Sequence, residues 1–327
     1  MKILRITAGI LLAACAAIAL FLPHAQSPGA FPAPSYKGII TLWQIDSFEG
    51  GTGSRKSFLL KAARGFEKEN EGVLVTALSY TAETAREHMK NGSFPDLISY
   101  GAGTEPLNVQ PLNKMSYAAG GRVENSVYAV PWCRGGYCLI IREGTEIKDN
   151  FIRGNLIVSQ GEYTQPVVAL ELSGYSAESY RVLPPKEAYA AFTGGKDGVM
   201  LGTQRDIVRL SNIGFQFGII PLTEFNDLYQ YISVTGESAE KNVYAEMFID
   251  YLLSSAVQED LGALSMFSVY GGVSYADEKL AAMQRAECGK TISAFLSADQ
   301  LKGMQELSLA AAKGGKELPE EIKNLLL

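Results

Sequence analysis

The glycine-rich stretch Ser47 to Leu59, SFEGGTGSRKSFL, comes close to the pattern of a phosphate-binding loop. A P-loop requires G-x-x-x-x-G-K-[ST], because the last glycine lets the backbone wrap the phosphates, the lysine contacts them and the hydroxyl ligates magnesium. Counting from Gly50, Arg55 occupies the position of that glycine, directly before Lys56. An arginine side chain prevents the same close backbone approach, so the pattern argues against nucleotide binding.

Histidine is nearly absent, which limits the catalytic and metal chemistry that the chain could carry. The sequence contains 2 histidines, and His24 lies near the N-terminus, so a Ser-His-Asp triad or a multi-histidine metal site would depend on His88. His88 lies in TAETAREHMKNG, a polar helical pattern that begins at Thr81 and ends at Gly92. We therefore expect an exposed surface histidine, no metal site and no cofactor.

The 4 cysteines, Cys15, Cys133, Cys138 and Cys288, lack the Cys-x-x-Cys spacing of a zinc site. Cys133 and Cys138 flank RGGY, which leaves two geometries open. A two-residue hairpin at the glycine pair would place the two cysteines opposite each other, close enough for a disulfide. A continuous strand would instead separate them by roughly 16 Å, at ~3.3 Å per residue.

The first 25 residues have the layout of an export signal, with Lys2 and Arg5 before an apolar stretch from Ile6 to Leu22. The letters LAAC, ending at Cys15, match a lipobox, in which this cysteine would be acylated and become the membrane-tethered first residue. The apolar run continues beyond it, which suits an uncleaved anchor or cleavage near Ala25. All three outcomes predict an extracytoplasmic protein, at the cell surface or in the periplasm.

Composition describes a globular, acidic protein. The chain has 327 residues, 47% of them hydrophobic and 20% charged, enough for about two domains. Residues 26–37 are rich in proline, alanine and serine, as a linker between a membrane and a folded body would be. The net charge is -6, and it becomes more negative without Lys2 and Arg5. Nucleic-acid binding requires a basic surface and is therefore not expected.

The elements that must position any site begin with a strand-helix-strand-helix-strand order. Strands are predicted at Ile39–Ile45, Val73–Ser79 and Asp96–Tyr100, with helices capped by Ser54 and Thr81. This order predicts a parallel sheet with right-handed crossovers. Because such sheets bind ligands beyond the carboxyl ends of their strands, DSFEGGTGS and GAGTE should meet at one edge, within a binding cleft.

The second half of the chain repeats this alternation less regularly. Thr203 and Asp206 form a capping-box pattern, which places Gln204 and Arg205 at the start of a helix just beyond a strand. A further amphipathic helix starts near Ser238. The other predicted elements are strands at NLIVSQ, PVVALEL, GVMLG, FQFGIIP and LYQYISV and a helix that begins at PPKEAYAAF and ends at Gly194 and Gly195.

The order of these elements, together with five local strings, resembles the extracellular solute-binding proteins of ABC importers, family 1 or maltose-binding-protein-like. Together the strings span most of residues 38–265, and none is a catalytic signature. The stretch between Ile141 and Tyr189 is shorter than these proteins usually show, which predicts a reduced second lobe. The strings are ITLWQIDSFEGGTGSRKSFLLKAARGFEKEN, FPDLISYG, VYAVPWCRGGYCLI, AAFTGGKDGVMLGTQRDI and FIDYLLSSAVQEDLG.

The resemblance implies an α/β fold of the two-lobe, type II periplasmic-binding-protein kind, with mixed sheets, flanking helices and a hinge. Residues 36–131 and 222–275 would form lobe one, and residues 132–221 and 276–327 lobe two. The chain would cross between the lobes at Pro131–Trp132 and near Pro221 to Asp227. Cys133 and Cys138 would then lie in an extended segment and stay unpaired.

The implied function is capture of a small solute, expected to be a carbohydrate, between the lobes and its delivery to an ABC transporter permease without catalysis. Two alternatives stay open: a secreted carboxylate-dependent hydrolase that uses Asp46 and Glu49, and a ligand-sensing surface protein. Arg55, Arg134 and Arg205 would favour an anionic solute if they converge, whereas the acidic net charge disfavours one.

Candidate ligand contacts follow from strand ends, the proposed crossing and the helix start, because sugar sites combine aromatic faces with carboxylates, amides or arginines. Each candidate also has a structural interpretation: Trp43 as a core residue, Asp46 and Glu49 as solvated or capping groups, and Gln204 and Arg205 as capping residues. The candidates are Trp43, Asp46, Glu49, Ser99, Tyr100, Trp132, Arg134, Gln204, Arg205 and Tyr229.

Overall fold

A computed structural model describes residues 36–113, 119–286 and 288–327. The predictions for residues 1–25, for Cys15 and for most of the linker lie outside the described residues. Gly38–Leu327 forms one compact unit. Within the described ranges, no helix combines the length and the apolar character needed to cross a membrane.

The first of two large sheets contains five strands in the order β2-β1-β3-β12-β6. β1 pairs in parallel with β2 and β3, as the strand-helix-strand order predicted, and β12 runs antiparallel to β3 and β6. The strands are β1 Gly38–Ile45, β2 Val73–Tyr80, β3 Leu97–Tyr100, β6 Val130–Arg134 and β12 Tyr229–Val234. A separate two-stranded ribbon consists of β4 Arg122–Val123 and β5 Ser126–Val127.

The helices around the first sheet begin where the sequence predicted. Ser54 accepts a hydrogen bond from the Ser57 backbone N–H, and Thr81 accepts one from that of Thr84, so each satisfies an otherwise free donor. Apolar residues at helical spacing on the first helix, including Phe58 and Phe66, face the core. Each large apolar side chain buried in this way stabilises the fold by roughly 1.5–3 kcal/mol. The helices are α1 Arg55–Glu69, α2 Ala82–Lys90, α6 Ala239–Leu252 and α7 Ser255–Gln258.

The second sheet has the order β11-β7-β10-β8-β9 and is mixed. β10 pairs in parallel with β8 but antiparallel to β7. The strands are β7 Tyr137–Arg142, β8 Phe151–Ser159, β9 Ser176–Leu183, β10 Val199–Thr203 and β11 Phe217–Pro221. The helices are α3 Pro166–Leu172, α4 Pro185–Gly194, α5 Gln204–Asn212, α8 Glu278–Arg285, α9 Ala298–Lys313 and α10 Glu320–Lys323. Apolar side chains fill both faces of this sheet, and α9 contributes Leu301 and Met304.

The structure corrects two expectations and adds one strand that the sequence did not predict. PVVALEL is the helix α3, not a strand; Pro166 suits the first helical turn, and five of its seven residues are buried. β9 had no sequence prediction, because its segment SAESYRVL is mostly polar; in the structure none of its residues is fully buried. His88 is half-buried, since its ring packs against Trp43 and Tyr80 at centroid distances of 5.7 and 5.1 Å.

The chain passes between the sheets twice within the described residues. The first crossing, Gly135 and Gly136, lies between β6 and β7, a few residues beyond Pro131–Trp132. The second runs from Leu222 to Leu228, between β11 and β12. Cys133 and Cys138 are buried and free, and they lie on two strands of different sheets, so the segment is neither a hairpin nor one continuous strand.

Candidate functional site

The segment from Asp46 to Ser54, here called the β1 loop, is shaped by a buried arginine. The Arg55 side chain donates to the Asp46 carboxylate at 2.6 Å and to the Phe48 carbonyl at 3.1 Å. Its guanidinium also lies 4.3 Å from the centre of the Phe48 ring. Arg55 is 5% exposed, whereas the Asp46 side chain is 61% exposed. Arg55 therefore holds the loop and presents Asp46 to solvent.

Glycine at position 51 lets the β1 loop lie directly on a 3-10 helix, Glu259–Leu264. A Cβ atom at Gly51 would overlap the Leu264 carbonyl oxygen. The next residue, Thr52, donates its backbone N–H to that oxygen at 2.7 Å and its hydroxyl to Ala263 O at 3.0 Å. Gly51 thus allows the β1 loop to pack closely against the 3-10 helix.

Two adjoining cavities, together called the interlobe cleft, lie beside the β1 loop. One has a volume of about 530 Å³ and the other about 800 Å³. They share Asp46 and Ser47, which follow β1 in the first sheet, and Glu162, which follows β8 in the second. The cleft is therefore bounded by loops at the carboxyl ends of strands from both lobes, where open α/β sheets bind ligands.

The cleft combines aromatic rings with an excess of carboxylates. The rings belong to Phe48, Tyr80 and Tyr163. The pKa of Tyr163 is raised, mainly because the residue is partly buried and secondly because the Glu162 carboxylate lies beside it. Arg55 is paired with Asp46, and Arg86 lies 3.6 Å from Glu105, so both lining guanidinium groups face a carboxylate. The lining carboxylates are Asp46, Glu49, Glu83 and Glu162.

Four of the predicted ligand residues lie in the interior of the first lobe. The Trp132 ring stacks on Phe58 at 5.5 Å, and its Nε1 donates to Ser99 Oγ at 2.9 Å. Tyr100 is fully buried and shares a 3.0 Å hydrogen bond with Ser233, and burial raises its pKa. Trp43 is a core residue, as its structural interpretation proposed.

Arg134 and Tyr229 are also mostly buried, beside the first crossing. Arg134 Nη2 donates to the carbonyl oxygens of Gln284 at 3.0 Å and Ala286 at 3.2 Å, so this guanidinium is satisfied by backbone groups. The Tyr229 ring packs against Tyr231 at 5.9 Å, and burial raises the pKa of Tyr229. Neither residue lines the interlobe cleft.

The start of α5 reaches across to the first lobe. Thr203 and Asp206 form the predicted capping box, and Gln204 Oε1 accepts from the Gly136 backbone N–H at 3.0 Å. Arg205 donates to the Gly51 carbonyl oxygen. Predicted as ligand residues, Gln204 and Arg205 thus hydrogen-bond the chain itself in this conformation.

One turn further along α5, Arg209 connects the lobes through an ion pair. Its Nη2 lies 2.8 Å from Glu49 Oε1 on the β1 loop, and its Nη1 lies 3.5 Å from Asp206 Oδ1. Asp206 is fully buried, and burial raises its pKa to about 6. We call the Glu49–Arg209 pair the interlobe latch.

Of the predicted ligand residues, Asp46 and Glu49 line the cleft. Sequence reasoning missed Tyr80, Glu83, Arg86, Glu162 and Tyr163. Four of these could have been found by extending the strand-end rule, because Tyr80 ends β2 and Glu83 follows it, while Glu162 and Tyr163 follow β8. In the part of the chain that the structure describes, no group of three or more His, Cys, Asp or Glu is arranged to hold a metal ion.

The fold has clear counterparts among solved structures, although no protein-family model and no curated protein sequence matches the chain. The sugar-binding protein MalE from Xanthomonas citri aligns with a TM-score of 0.63 at 14% identity, over 88% of this chain and 95% of that one. The GacH receptor of Streptomyces glaucescens, solved unliganded and with acarbose, aligns with a TM-score of 0.57 at 15% identity, over 88% of this chain and 96% of that one. MalE from Bdellovibrio bacteriovorus, solved bound to maltotriose, aligns with a TM-score of 0.53 at 13% identity, over 88% of this chain and 98% of that one.

These likenesses cover most of both chains in every pair, so they concern the whole architecture and not one lobe. The chain therefore has the two-lobe α/β fold of MalE-like binding proteins, with two sheets flanked by helices. The fold expectation is confirmed. At identities of 13–15% the comparison concerns fold, and the ligand has to be argued from the cleft.

Proposed function

We propose that the protein is an extracytoplasmic solute-binding protein that captures a small carbohydrate between its lobes and delivers it to an ABC transporter permease. The observation that carries this proposal is the interlobe cleft, because loops from both sheets meet there around Asp46, Ser47 and Glu162. A ligand that contacts both lobes favours the closed arrangement by its differential affinity for it.

The lining suits a neutral polyol. Tyr80 and Tyr163 offer aromatic surface for the apolar side of a sugar ring, and carboxylates accept hydrogen bonds from hydroxyl groups. Four carboxylates face two arginines that are already paired, so an anionic solute would meet net repulsion. An anion would be favoured if Arg55, Arg134 and Arg205 converged on the cleft. Arg55 lines the cleft, but Arg134 and Arg205 do not.

The named ligands of the structural neighbours agree with this chemistry. GacH was solved in complex with acarbose, and the MalE from Bdellovibrio bacteriovorus was solved bound to maltotriose. The permease partner, the extracytoplasmic location and a membrane tether through the N-terminus belong to the same proposal. They are supported by the fold and by the sequence pattern of the first 25 residues.

Calorimetry against a panel of neutral oligosaccharides, sugar phosphates, uronic acids and amino-acid derivatives tests the proposal. We expect at least one neutral oligosaccharide to bind and to raise the melting temperature by mass action. Glu162→Ala and Tyr163→Ala should each weaken binding about tenfold, whereas the matched surface control Glu306→Ala on α9 should not. Binding restricted to the anionic members of the panel would contradict the assignment.

Product analysis of the same samples separates capture from hydrolysis. Asp46 and Glu49 each pair with an arginine, Arg55 and Arg209, and not with a second carboxylate. A glycosidase needs a carboxylate pair across the scissile bond, one of them protonated. We expect every bound oligosaccharide to be recovered intact after prolonged incubation, and release of shorter sugars would identify an enzyme.

A further inference from the structure

A third cavity lies on the first lobe, between α1 and the segment from α6 to the 3-10 helix. Its volume is about 360 Å³, and it shares no lining residue with the interlobe cleft. We call it the basic pocket. Its lining residues are Phe58, Lys61, Ala62, Arg64, Gly65, Lys68, Tyr251, Ala256, Val257 and Asp260.

The rim of the basic pocket is cationic in a chain whose net charge is -6. Lys61, Arg64 and Lys68 recur along α1 at a spacing that places them on one face of the helix. Lys61 pairs with Asp260 at 2.6 Å, the single acidic residue of the lining. Arg64 and Lys68 are exposed, and no ion pair to either is found among the described residues. The pocket therefore retains an excess of positive charge.

The floor of the basic pocket is apolar. Phe58 and Val257 are buried there, and the Tyr251 ring packs 6.0 Å from Phe66. A Cβ atom at Gly65 would overlap the Tyr251 hydroxyl, so glycine allows the tyrosine to lie directly against α1. The result is a concave surface with an apolar base and three cationic side chains above it.

We propose that the basic pocket binds a phosphate group carried on an apolar body, either a phospholipid headgroup or a soluble phosphate ester. Lysine and arginine form charge-assisted hydrogen bonds to phosphate oxygens, and the apolar floor accommodates the attached carbon groups. A purely hydrated anion would gain nothing from that floor. The site is separate from the interlobe cleft, so its ligand and a cleft-bound sugar would bind independently.

Residue-resolved acetylation of the full-length protein, read by mass spectrometry, tests the site with two probes. Phenyl phosphate represents the soluble source, and vesicles of phosphatidylglycerol, with phosphatidylcholine vesicles as the neutral control, represent the lipid source. We expect Lys61 and Lys68 to be protected at least about fivefold relative to Lys313, which is exposed on α9. Protection by phenyl phosphate identifies a soluble ester site, and protection by phosphatidylglycerol vesicles alone identifies a headgroup site.

Charge variants provide the controls. Arg64→Gln combined with Lys68→Gln should weaken probe affinity about tenfold, whereas Lys313→Gln should leave it unchanged. Asp260→Asn releases Lys61 from its ion pair and should strengthen binding about threefold. The proposal fails if neither probe protects Lys61 and Lys68, or if the double variant binds the probes as the Lys313→Gln protein does. Cleft binding measured with an oligosaccharide should be the same in all these variants.

Discussion

Arg55 occupies the position where a phosphate-binding loop has glycine, and its side chain explains why the glycine-rich stretch has another role. The guanidinium is buried, bonds Asp46 and the Phe48 carbonyl, and lies over the Phe48 ring. At the scale of one residue, the position that departs from the P-loop pattern also shapes the wall of the interlobe cleft. The sequence predicted the departure from the pattern but not the contacts of Arg55, because these contacts depend on how the β1 loop folds back.

Replacing Arg55 with methionine should destabilise the protein by about 2 kcal/mol. The substitution leaves the Phe48 carbonyl without its Arg55 donors and removes the ion-pair partner of Asp46, which keeps its hydrogen bond from Gln44 and stays solvated. Lys56→Met is the control, since Lys56 is the next residue along α1 and is half-exposed. Urea unfolding measures both free energies, and equal losses in the two variants would contradict the assigned role of Arg55.

Asp227, in the second crossing, should make stability depend on pH. Tyr137 donates to its carboxylate at 2.7 Å, and burial raises the pKa of Asp227 from 3.8 to about 7. The titratable side chains that interact with it are Tyr137 and Tyr231. Between about pH 4 and 7 the folded protein therefore binds more protons than the unfolded chain, so this group lowers stability as pH rises.

The variant Asp227→Asn tests whether Asp227 causes this pH dependence of stability. Its amide oxygen can still accept the hydrogen bond from Tyr137, but it carries no charge. We expect the variant to gain on the order of 1–3 kcal/mol relative to wild type between pH 4 and pH 8. Unfolding free energies measured across that range provide the comparison. If the difference between the two proteins stays constant with pH, Asp227 does not titrate in this window.

At the scale of elements, the helix α5 connects the second lobe to the β1 loop through polar contacts. Arg209 pairs with Glu49 and Arg205 donates to Gly51 O, so two successive turns of one helix contact the loop. Its start was predicted from the capping box at Thr203 and Asp206. The interlobe latch was not predicted, because its two residues lie 160 positions apart in sequence and leave no local pattern.

Weakening the interlobe latch should lower ligand affinity, because the pair connects the two lobes beside the interlobe cleft. Glu49→Gln and Arg209→Gln, each measured by calorimetry with an oligosaccharide that binds, should reduce affinity about two- to fivefold, and the double variant should lose less than the sum. The control is the Lys61–Asp260 pair, a surface ion pair outside the cleft. Additive losses from Glu49 and Arg209 would show that the two side chains do not act as a pair in the ligand-bound protein.

The first crossing depends on the absence of a side chain at Gly135. A Cβ atom there would lie 2.8 Å from Gln204 Oε1, the atom that accepts from Gly136 N–H. Gly135→Ala should therefore destabilise the protein by about 1–3 kcal/mol through the shifted Gln204. Gly194→Ala is the matched control, because a Cβ at Gly194 meets nothing within 4 Å. Equal melting temperatures for the two variants would contradict this account.

Periodicity and capping residues predicted most elements of the first lobe closely. β1, α1, β2, α2 and β3 begin or end within about two residues of their predicted bounds, because their apolar spacing and their Ser54 and Thr81 caps agree with the final packing. The strand prediction for PVVALEL was wrong, because a short, mostly apolar run fits a buried strand and a buried helix equally well.

At the scale of the whole molecule, the site is defined by which strand ends face the space between the two sheets. The strand-end rule found Asp46 and Glu49 because β1 lies inside the first sheet and its loop opens into the cleft. Residues such as Trp132 and Ser99 also lie near strand ends, but they bond each other in the interior. Sequence alone does not separate these groups, since their exposure depends on how strands from distant parts of the chain pack.

A crystal structure of the protein grown with an oligosaccharide that raises its melting temperature would show where the sugar binds. We expect sugar density in the interlobe cleft, with a ring against Tyr80 or Tyr163 and hydroxyl groups within hydrogen-bond distance of Asp46 or Glu162. Sugar bound outside the space between the two sheets, with the cleft carboxylates facing only solvent, would contradict it.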